Sequence, residues 1–266
     1  FGVLPTALLA LPLAISGATA LSLMFDKTVY QFYRQKKSPA VIFVIVSTGV
    51  MFIMNAIVRF IIGPDDQRFM DGAKFIFRPR EFKAFTGLNE GLALKSTQVL
   101  TVAITLIAVA ALFYFLQKTR TGKAMRAFSD NEDLALLSGI NPNRVVWVTW
   151  IIVATLATIA GTLYGLDKSF KPFTYFNNLL PIFAATIVGG IGNPLGAFYG
   201  GFLIAFSEIA LTYAYKKFFK YLLPESLEPN TLIQFISTDY KFAISFAILV
   251  VVLIFRPNGI FKGKVI

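Results

Sequence analysis

Two stretches of this sequence combine residue types and spacings that bear on chemistry in an apolar environment. The first, "LIAFSEIAL", places the acid Glu208 in an otherwise hydrophobic run. A carboxylate at membrane depth is costly unless it is paired. Glu208 is therefore either a functional group, as a polar contact for a solute or a gating hydrogen bond, or an end-of-span carboxylate that reaches the outer interface or bonds to a neighbouring helix. The second, "GGIGNPLGA" from Gly189 to Ala197, allows close helix packing or exposes backbone groups to a solute.

The sequence lacks the residues that most other kinds of active site require. The chain has no cysteine and no histidine, which excludes disulfides, thiolate metal sites and the commonest catalytic base. The glycines at Gly189 are not followed by the G-K-[ST] sequence with which a nucleotide-binding loop holds phosphate. We therefore predict no catalytic residues, no metal site and no cofactor bound by this chain, and a membrane-embedded enzyme is disfavoured.

The composition predicts which elements position these residues. Of the 266 residues, 56% are hydrophobic and 15% are charged, and the mean hydropathy is +0.68. Such a chain belongs in a lipid bilayer, where a helix needs about 20 apolar residues to cross. We predict an all-α, polytopic transmembrane helical bundle with about seven membrane segments in this chain. They are Phe1 to Phe25, Ala40 to Ile62, Thr97 to Leu116, Val145 to Leu166, two within Leu179 to Tyr213, and Lys241 to Phe255.

The net charge of +11 indicates an orientation rather than a nucleic-acid partner. Lysine and arginine are in excess in the loops Asp26 to Ser38 and Gln117 to Arg144 and in the tail after Phe255, so these should be cytoplasmic. Acids and bases nearly balance in Gly63 to Lys95 and in Ala214 to Asp239, as expected on the far side. The tail returns to the cytoplasm only if Leu179 to Tyr213 crosses twice, turning at the glycines.

The second cytoplasmic loop contains a short polar segment, "SDNEDLALLSGINPNRV". Ser129 and Glu132 have the spacing of a capping box, so a helix should begin at about Asp130, and Gly139 should end it. This helix either lies on its own bundle or is presented to a groove on a cytoplasmic partner, and the spacing alone fits both. An apolar ridge of Leu134, Leu137 and Ile140 and the small residues Ala135 and Gly139 would make the contact.

Several motifs in order resemble one family. They are "GKAMRAFSDNEDLALLSGINPNRV", "ATIAGTLYG", "AATIVGGIGNPLGAFYGGFLIAFSE" and "STDYKFAISFAILVVVLIFRPNGIF". Together they resemble the branched-chain amino acid ABC transporter permeases of the LivH type, and the resemblance extends weakly to Phe1. It implies one transmembrane permease domain over residues 1–266, with a cytoplasmic coupling loop at about 117–144 and a broken-helix segment at about 179–213. The family's first spans, with an N-F-A-H-G motif, would precede Phe1.

The resemblance also implies a function and an assembly. The chain would be the permease of an ATP-binding-cassette importer in the bacterial inner membrane, with a cytoplasmic C-terminus. Its partners would be two cytoplasmic ATPase subunits that use ATP and Mg, a second homologous permease, an extracytoplasmic solute-binding protein and membrane lipid. The solute would be a branched-chain or related amino acid; alternatives are urea, short amides or another small polar solute, or a secondary transporter or channel.

Two groups of site residues follow from the resemblance together with the patterns above. Residues for contact with the ATPase are Arg126, Ser129, Glu132, Leu134, Ala135, Leu137, Gly139 and Ile140. Residues for translocation or a hinge are Gly189, Gly190, Gly192, Pro194, Gly196 and Glu208.

Overall fold

The structure is a computed structural model that describes residues 6–69, 75–77, 84, 94–172, 174–213, 235–237 and 240–261. These residues fall into two compact units, Phe1–Pro172 and Phe173–Ile266. The single permease domain predicted over residues 1–266 stays a prediction. The lysines Lys262 and Lys264, most of Gly63 to Lys95 and most of Ala214 to Asp239, on which the charge argument also drew, lie outside the described residues.

The first unit is mostly helical. Its helices are α1 (Thr6–Leu9), α2 (Leu11–Phe25), a π-helical turn (Asp26–Tyr30), α3 (Gln31–Gln35), α4 (Ala40–Ile62), α5 (Ser96–Lys118), α6 (Arg120–Asp130), α7 (Glu132–Leu137) and α8 (Pro142–Asp167). Two short strands, β1 (Phe75–Phe77) and β2 (Leu94–Lys95), pair antiparallel between α4 and α5. The second unit contains α9 (Thr174–Asn177), α10 (Leu179–Gly189), α11 (Pro194–Thr212) and α12 (Lys241–Phe255).

The length and polarity of these helices confirm the predicted helical membrane fold. In the described part of the chain, 4 helices are long and apolar enough to cross a membrane, namely α4, α5, α8 and α11. Shorter apolar helices cover Tyr175–Gly189 and Lys241–Phe255. Many large apolar side chains point away from the protein, such as Phe60 at 93% exposure, because lipid rather than protein surrounds them.

Several helices of the first unit, namely α1, α2, α5 and α6, contact α8. Helix α2 lies along α8, and α5 contacts both α8 and α6. Ala154, Leu163 and Leu166 on α8 are buried in these contacts. The helix that begins with α2 does not end at Phe25, as predicted, because the backbone stays helical through the π-turn and α3 to Gln35. Most of the predicted loop Asp26 to Ser38 is therefore an extension of the first helix.

Backbone pairing ties the loop after α4 to the end of α8. Gly63 ends α4 with a φ of 81°. Gln67 and Phe170 then exchange two backbone hydrogen bonds of 2.8 Å and 3.0 Å. A Cβ on Gly165 would lie 2.8 Å from the Phe69 ring, so the small residue near the end of α8 makes room for this loop. The two helix ends are fixed to each other by backbone atoms, which depends little on side-chain identity.

Three of the four helices described in the second unit pack together. Helix α10 packs against α11, and α12 contacts both. The core between them consists of Ala184, Val188 and Ile204, with Leu203 and Ile248 packed against it. Small residues on α10 allow the helices to come close. In lipid the hydrophobic effect does not drive helices together, so this close van der Waals packing stabilises the unit instead.

Candidate functional sites

A tight turn positions the loop that contains α6 and α7. The Thr119 hydroxyl accepts a hydrogen bond from the Gly122 N–H (3.0 Å) and donates one to the Phe115 carbonyl (2.7 Å). A Cβ at Gly122 would lie 2.2 Å from the Phe115 oxygen. Only glycine fits there without a shift of the backbone, so the chain leaves α5 at a fixed angle.

The start of α7 differs from the prediction. Helix α6 runs through Ser129 to Asp130, so the expected N-cap at Ser129 is wrong, and α7 begins at Glu132, two residues after the expected start at about Asp130. Asn131 caps α7 instead, and its side-chain oxygen accepts a hydrogen bond of 2.9 Å from the Leu134 N–H. Glu132 lies in the first turn of α7, where the helix dipole favours an acid. Asparagine forms a cap at least as good as serine, which explains the outcome.

Glycine and asparagine fix the end of α7. Gly139 has a φ of 79°. The N–H groups of Gly139 and Ile140 bond to the carbonyls of Leu136 and Ala135, both at 3.0 Å, in the pattern of a Schellman motif. Asn141 then caps α8, and its side chain accepts hydrogen bonds from the N–H groups of Asn143 and Arg144. The end of α7 is thus joined to α8 by a short, fully bonded link.

The apolar residues of α7 point in two directions. Ala135 is 3% exposed and faces the unit, while Leu134 is 62% and Leu137 is 86% exposed. The remaining residues of the predicted contact group lie along the same segment: Arg126, Ser129, Glu132 and Gly139 are exposed, and Ile140 is half-buried. The short helix therefore presents three leucines at its surface, with Leu134 and Leu137 more exposed than Leu136, which is 43% exposed.

The predicted hinge glycines make the closest helix contact in the second unit. A Cβ on Gly189 would lie 2.1 Å from the Gly196 oxygen, and a Cβ on Gly196 would lie 2.3 Å from the Gly189 oxygen. One turn further along α11, a Cβ on Gly200 would lie 2.1 Å from the Ala185 oxygen. At these three positions the backbones of α10 and α11 touch, and any side chain would separate them.

The turn between α10 and α11 also needs glycine. Gly190 and Gly192 have φ values of 111° and 83°, in the region that side chains disfavour. Pro194 is the first residue of α11, where its missing N–H costs nothing. Asn193 caps α11 by accepting a hydrogen bond of 3.1 Å from the Gly196 N–H.

The chain after α12 folds back onto this turn. The N–H groups of Ile260 and Phe261 bond to the carbonyls of Val188 (2.8 Å) and Gly189 (3.3 Å), which the end of α10 leaves without helical partners. The Asn193 amide donates to the Phe261 carbonyl at 3.1 Å. A Cβ on Gly259 would lie 2.5 Å from the Gly190 Cα. We did not predict this contact from the sequence, although N-G in the tail is a turn signal.

Glu208 lies apart from the glycine contacts. It comes 12 residues after Gly196 on α11, or about 18 Å along the helix. The fully buried Ser245 on α12 donates its hydroxyl to the carboxylate of Glu208. Of the two roles weighed for Glu208, the contact fits a side chain bonded to a neighbouring helix. Ser245 was not foreseen, because nothing in the sequence links it to an acid 37 positions earlier.

A buried polar cluster lies directly after α2, and we did not predict it from the sequence. Asp26, at 1% exposure, binds Arg34 and the indole N–H of Trp150. The available signal was one acid in a basic loop, eight residues before an arginine. No group of three metal-ligating side chains occurs within the described ranges.

Comparison with known proteins shows which family this chain resembles. Residues 2–253 match the family described as branched-chain amino acid transport system, permease component. The high-affinity branched-chain amino acid transport system permease protein LivH of Escherichia coli (strain K12) is 33% identical over 173 residues, covering 65% of this chain and 49% of that protein. The permease protein BraD of Pseudomonas aeruginosa, of the same description, is 29% identical over 171 residues, covering 64% and 49%. No solved structure matches the chain.

A third relative is similar over a longer part of the chain. The probable branched-chain amino acid transport permease protein LivH of Methanocaldococcus jannaschii is 30% identical over 188 residues, covering 71% of this chain and 53% of that protein. The chain spans about half the length of the curated relatives that it matches. The family match covers nearly all of the chain, and the apolar helices describe a multi-pass membrane protein. The chain belongs to the permease component family of branched-chain amino acid transport systems.

Proposed function

We propose that this chain is the permease subunit of an ATP-binding-cassette importer for branched-chain or related amino acids. The outward-facing pair Leu134 and Leu137 on the capped helix α7 is the observation on which the proposal rests. Two leucines held in water by a short helix lose hydration only when a partner covers them. The family membership supplies the kind of partner, a cytoplasmic ATPase.

In this proposal α7 is the coupling helix. It has fewer than two turns, so it would be marginal alone in water. The Asn131 cap and the bonds at Gly139 hold its ends, and Asn141 joins it to the membrane-crossing helix α8. A push on α7 therefore passes into α8 rather than into a flexible loop. Alternating access would follow as ATPase closure rocks the helices between outward and inward openings.

The assembly proposed with this function has four kinds of subunit. Two ATPase subunits bind and hydrolyse ATP with Mg, a second homologous permease completes the route, and an extracytoplasmic binding protein delivers the solute. The chain would lie in the bacterial inner membrane with its C-terminus in the cytoplasm. The second proposed group, with Gly189, Gly196 and Glu208, would form or flank the moving part of the route. Urea, short amides or another small polar solute are the alternatives to an amino acid.

Uptake by the reconstituted complex tests the proposal. The full-length permease should co-purify with ATPase subunits in mild detergent, and vesicles with the binding protein should accumulate leucine or a related solute only when ATP is present. Gly139→Arg should abolish this uptake, because a non-glycine residue at positive φ costs about 1–2 kcal/mol and the new side chain disturbs the coupling surface. Binding of the solute to the binding protein should not change.

Gly63→Arg is the control for backbone strain, which is at least as large there, because its φ of 81° and ψ of 178° are nearly exclusive to glycine. Gly63 also has positive φ and no atom within 4 Å of an added Cβ, but it ends α4 and lies outside the coupling segment. This variant should retain most uptake. Full activity of Gly139→Arg would contradict the role of α7, and accumulation without ATP would instead support a secondary transporter or channel.

A further inference from the structure

The end of α2 contains a buried acid at an irregular point of the helix. Asp26 is 1% exposed and opens the five-residue π-helical turn Asp26–Tyr30. The Gln31 N–H bonds to the Asp26 carbonyl, which is the wider hydrogen bond of a π-helix. Such single turns weaken a helix and occur frequently at functional sites. The position therefore needs an explanation beyond the crossing of a membrane.

Three donors surround the Asp26 carboxylate. Arg34 makes a two-pronged contact, with Nη1 at 2.6 Å from Oδ1 and Nη2 at 3.0 Å from Oδ2. The indole Nε1 of Trp150 donates to Oδ1 at 2.8 Å. The Tyr30 ring packs on Trp150 with ring centres 5.3 Å apart. Both carboxylate oxygens are satisfied, and the planes of arginine, carboxylate and indole fix each other's orientation.

The Asp26–Arg34 ion pair fixes the relative positions of its groups more than it stabilises the fold. Removing two charges from water is costly, and apolar residues of similar volume often do as well or better in such positions. The exposed pair Lys171–Asp66, at 3.9 Å with side chains 55% and 57% exposed, has neither the contact distance nor the burial to fix anything. The Asp26 cluster differs because its three members join the π-turn, α3 and α8 at one point.

One member of the cluster, Trp150, is close to α7 in the chain. Helix α8 begins at Pro142, directly after the Asn141 link, and Trp150 follows eight residues later, about 12 Å along the helix. Val145, between them, is buried, so this first part of α8 is packed. Any rigid displacement of α7 reaches Trp150 through two turns of continuous helix. From Trp150 the only polar connection described is to Asp26 on the first helix.

We propose that Asp26, Arg34 and Trp150 form a rigid joint that makes α2 move together with α8 when α7 is displaced. Asp26 is its positioning residue. The inference rests on the proposed function, because the displacement is the one that ATPase closure would cause. The joint links the coupling helix to the first helix of this chain.

Asp26→Asn in the reconstituted complex tests the joint. Asparagine keeps the size but loses the charge and one acceptor, so the Arg34 contact weakens. We expect ATP hydrolysis to continue within twofold of the unmodified complex, while solute taken up per ATP falls at least fivefold. Asp26→Glu, which can reach the same donors, should restore much of this ratio. Trp150→Phe, which keeps the packing but loses the N–H, should show a smaller loss of the same kind.

The matched control is Asp66→Asn, the same change in the exposed ion pair, and it should leave the ratio unchanged. Because the chain has no cysteine, spin labels at Leu13→Cys on α2 and Asn143→Cys on α8 report the motion directly. Their distance should stay constant between the ATP-free and vanadate-trapped states, and should change in Asp26→Asn.

Outcomes separate the joint from the proposed function. An unmodified complex without ATP-dependent uptake would remove the proposed function, and the joint with it. An active complex in which the two labels move apart on trapping would overturn the joint alone. An Asp26→Asn protein that inserts normally and keeps its transport ratio would do the same. A general loss of folding in Asp26→Asn leaves Trp150→Phe, whose unchanged ratio and constant label distance would also overturn the joint.

Discussion

At the scale of single residues, the glycines of the second unit separate into those that must be small and those that need not be. Gly200 has backbone against it, with an added Cβ only 2.1 Å from the Ala185 oxygen, while the adjacent Gly201 has nothing within 4 Å. The sequence does not distinguish the two glycines, because a pattern of small residues does not show which face of a helix packs against its neighbour. Only the rotation of α11 about its axis distinguishes them.

This pair provides a residue-scale prediction. Gly200→Ala should push α10 and α11 apart and destabilise the protein by about 1–3 kcal/mol, as overpacking does. Gly201→Ala adds the same methyl group to open space and should be neutral or slightly stabilising, since alanine favours helix. Unfolding midpoints in detergent would measure both. Equal midpoints for the two variants would mean that the close approach at Gly200 is not a constraint on the fold.

Glu208 shows how far a lone acid can be understood from sequence. Its burial cost predicted a partner, and the structure supplies one in Ser245. The identity of that partner depends on the packing of α12 against α11, which apolar periodicity does not define when helices are apolar on all sides. Asp26 illustrates the same limit, since Trp150 lies 124 positions away.

At the scale of elements, the loop segment was predicted in outline but not in its boundaries. Gly139 was the one good candidate for the glycine that ends α7, and the structure confirms that end. The start had two good caps two positions apart, Ser129 and Asn131, and a capping-box pattern favoured the wrong one. Helix α6 was not predicted either, because its charged face resembles a solvated loop. Local rules decide a boundary only where one residue satisfies them.

The two caps can be tested against each other. Asn131→Ala should remove the hydrogen bond to the Leu134 N–H and destabilise α7 by about 0.5–2 kcal/mol. Hydrogen exchange at Leu134 should then be faster and uptake lower. Ser129→Ala, which lies inside α6, should change neither by a comparable amount. Faster exchange in Ser129→Ala alone would restore the cap first expected from the sequence.

At the scale of the whole molecule, composition predicted the fold class and the motifs predicted the family. The helical membrane fold follows from segment length and hydropathy, which depend on many residues and tolerate local errors. The double crossing of Leu179 to Tyr213 is predicted from the charge map together with the length of the segment and its glycine break. The contact of Ile260 with Val188 is an independent sign in its favour, because it places the tail and the α10–α11 turn at the same end of the second unit.

Labelling of single cysteines can test this topology, since the natural chain has none. Ile191→Cys in the turn and Asn258→Cys in the tail should both react with a membrane-impermeant maleimide only after right-side-out vesicles are opened. Phe235→Cys lies beside the far end of α11, where the Ile236 N–H bonds to the Leu211 carbonyl, and should react in intact vesicles. Reaction of Ile191→Cys and Asn258→Cys from opposite sides would contradict the tail contact. Reaction of both in intact vesicles, with Phe235→Cys protected, would preserve the contact but reverse the orientation inferred from the charges, and would place α7 away from any cytoplasmic ATPase.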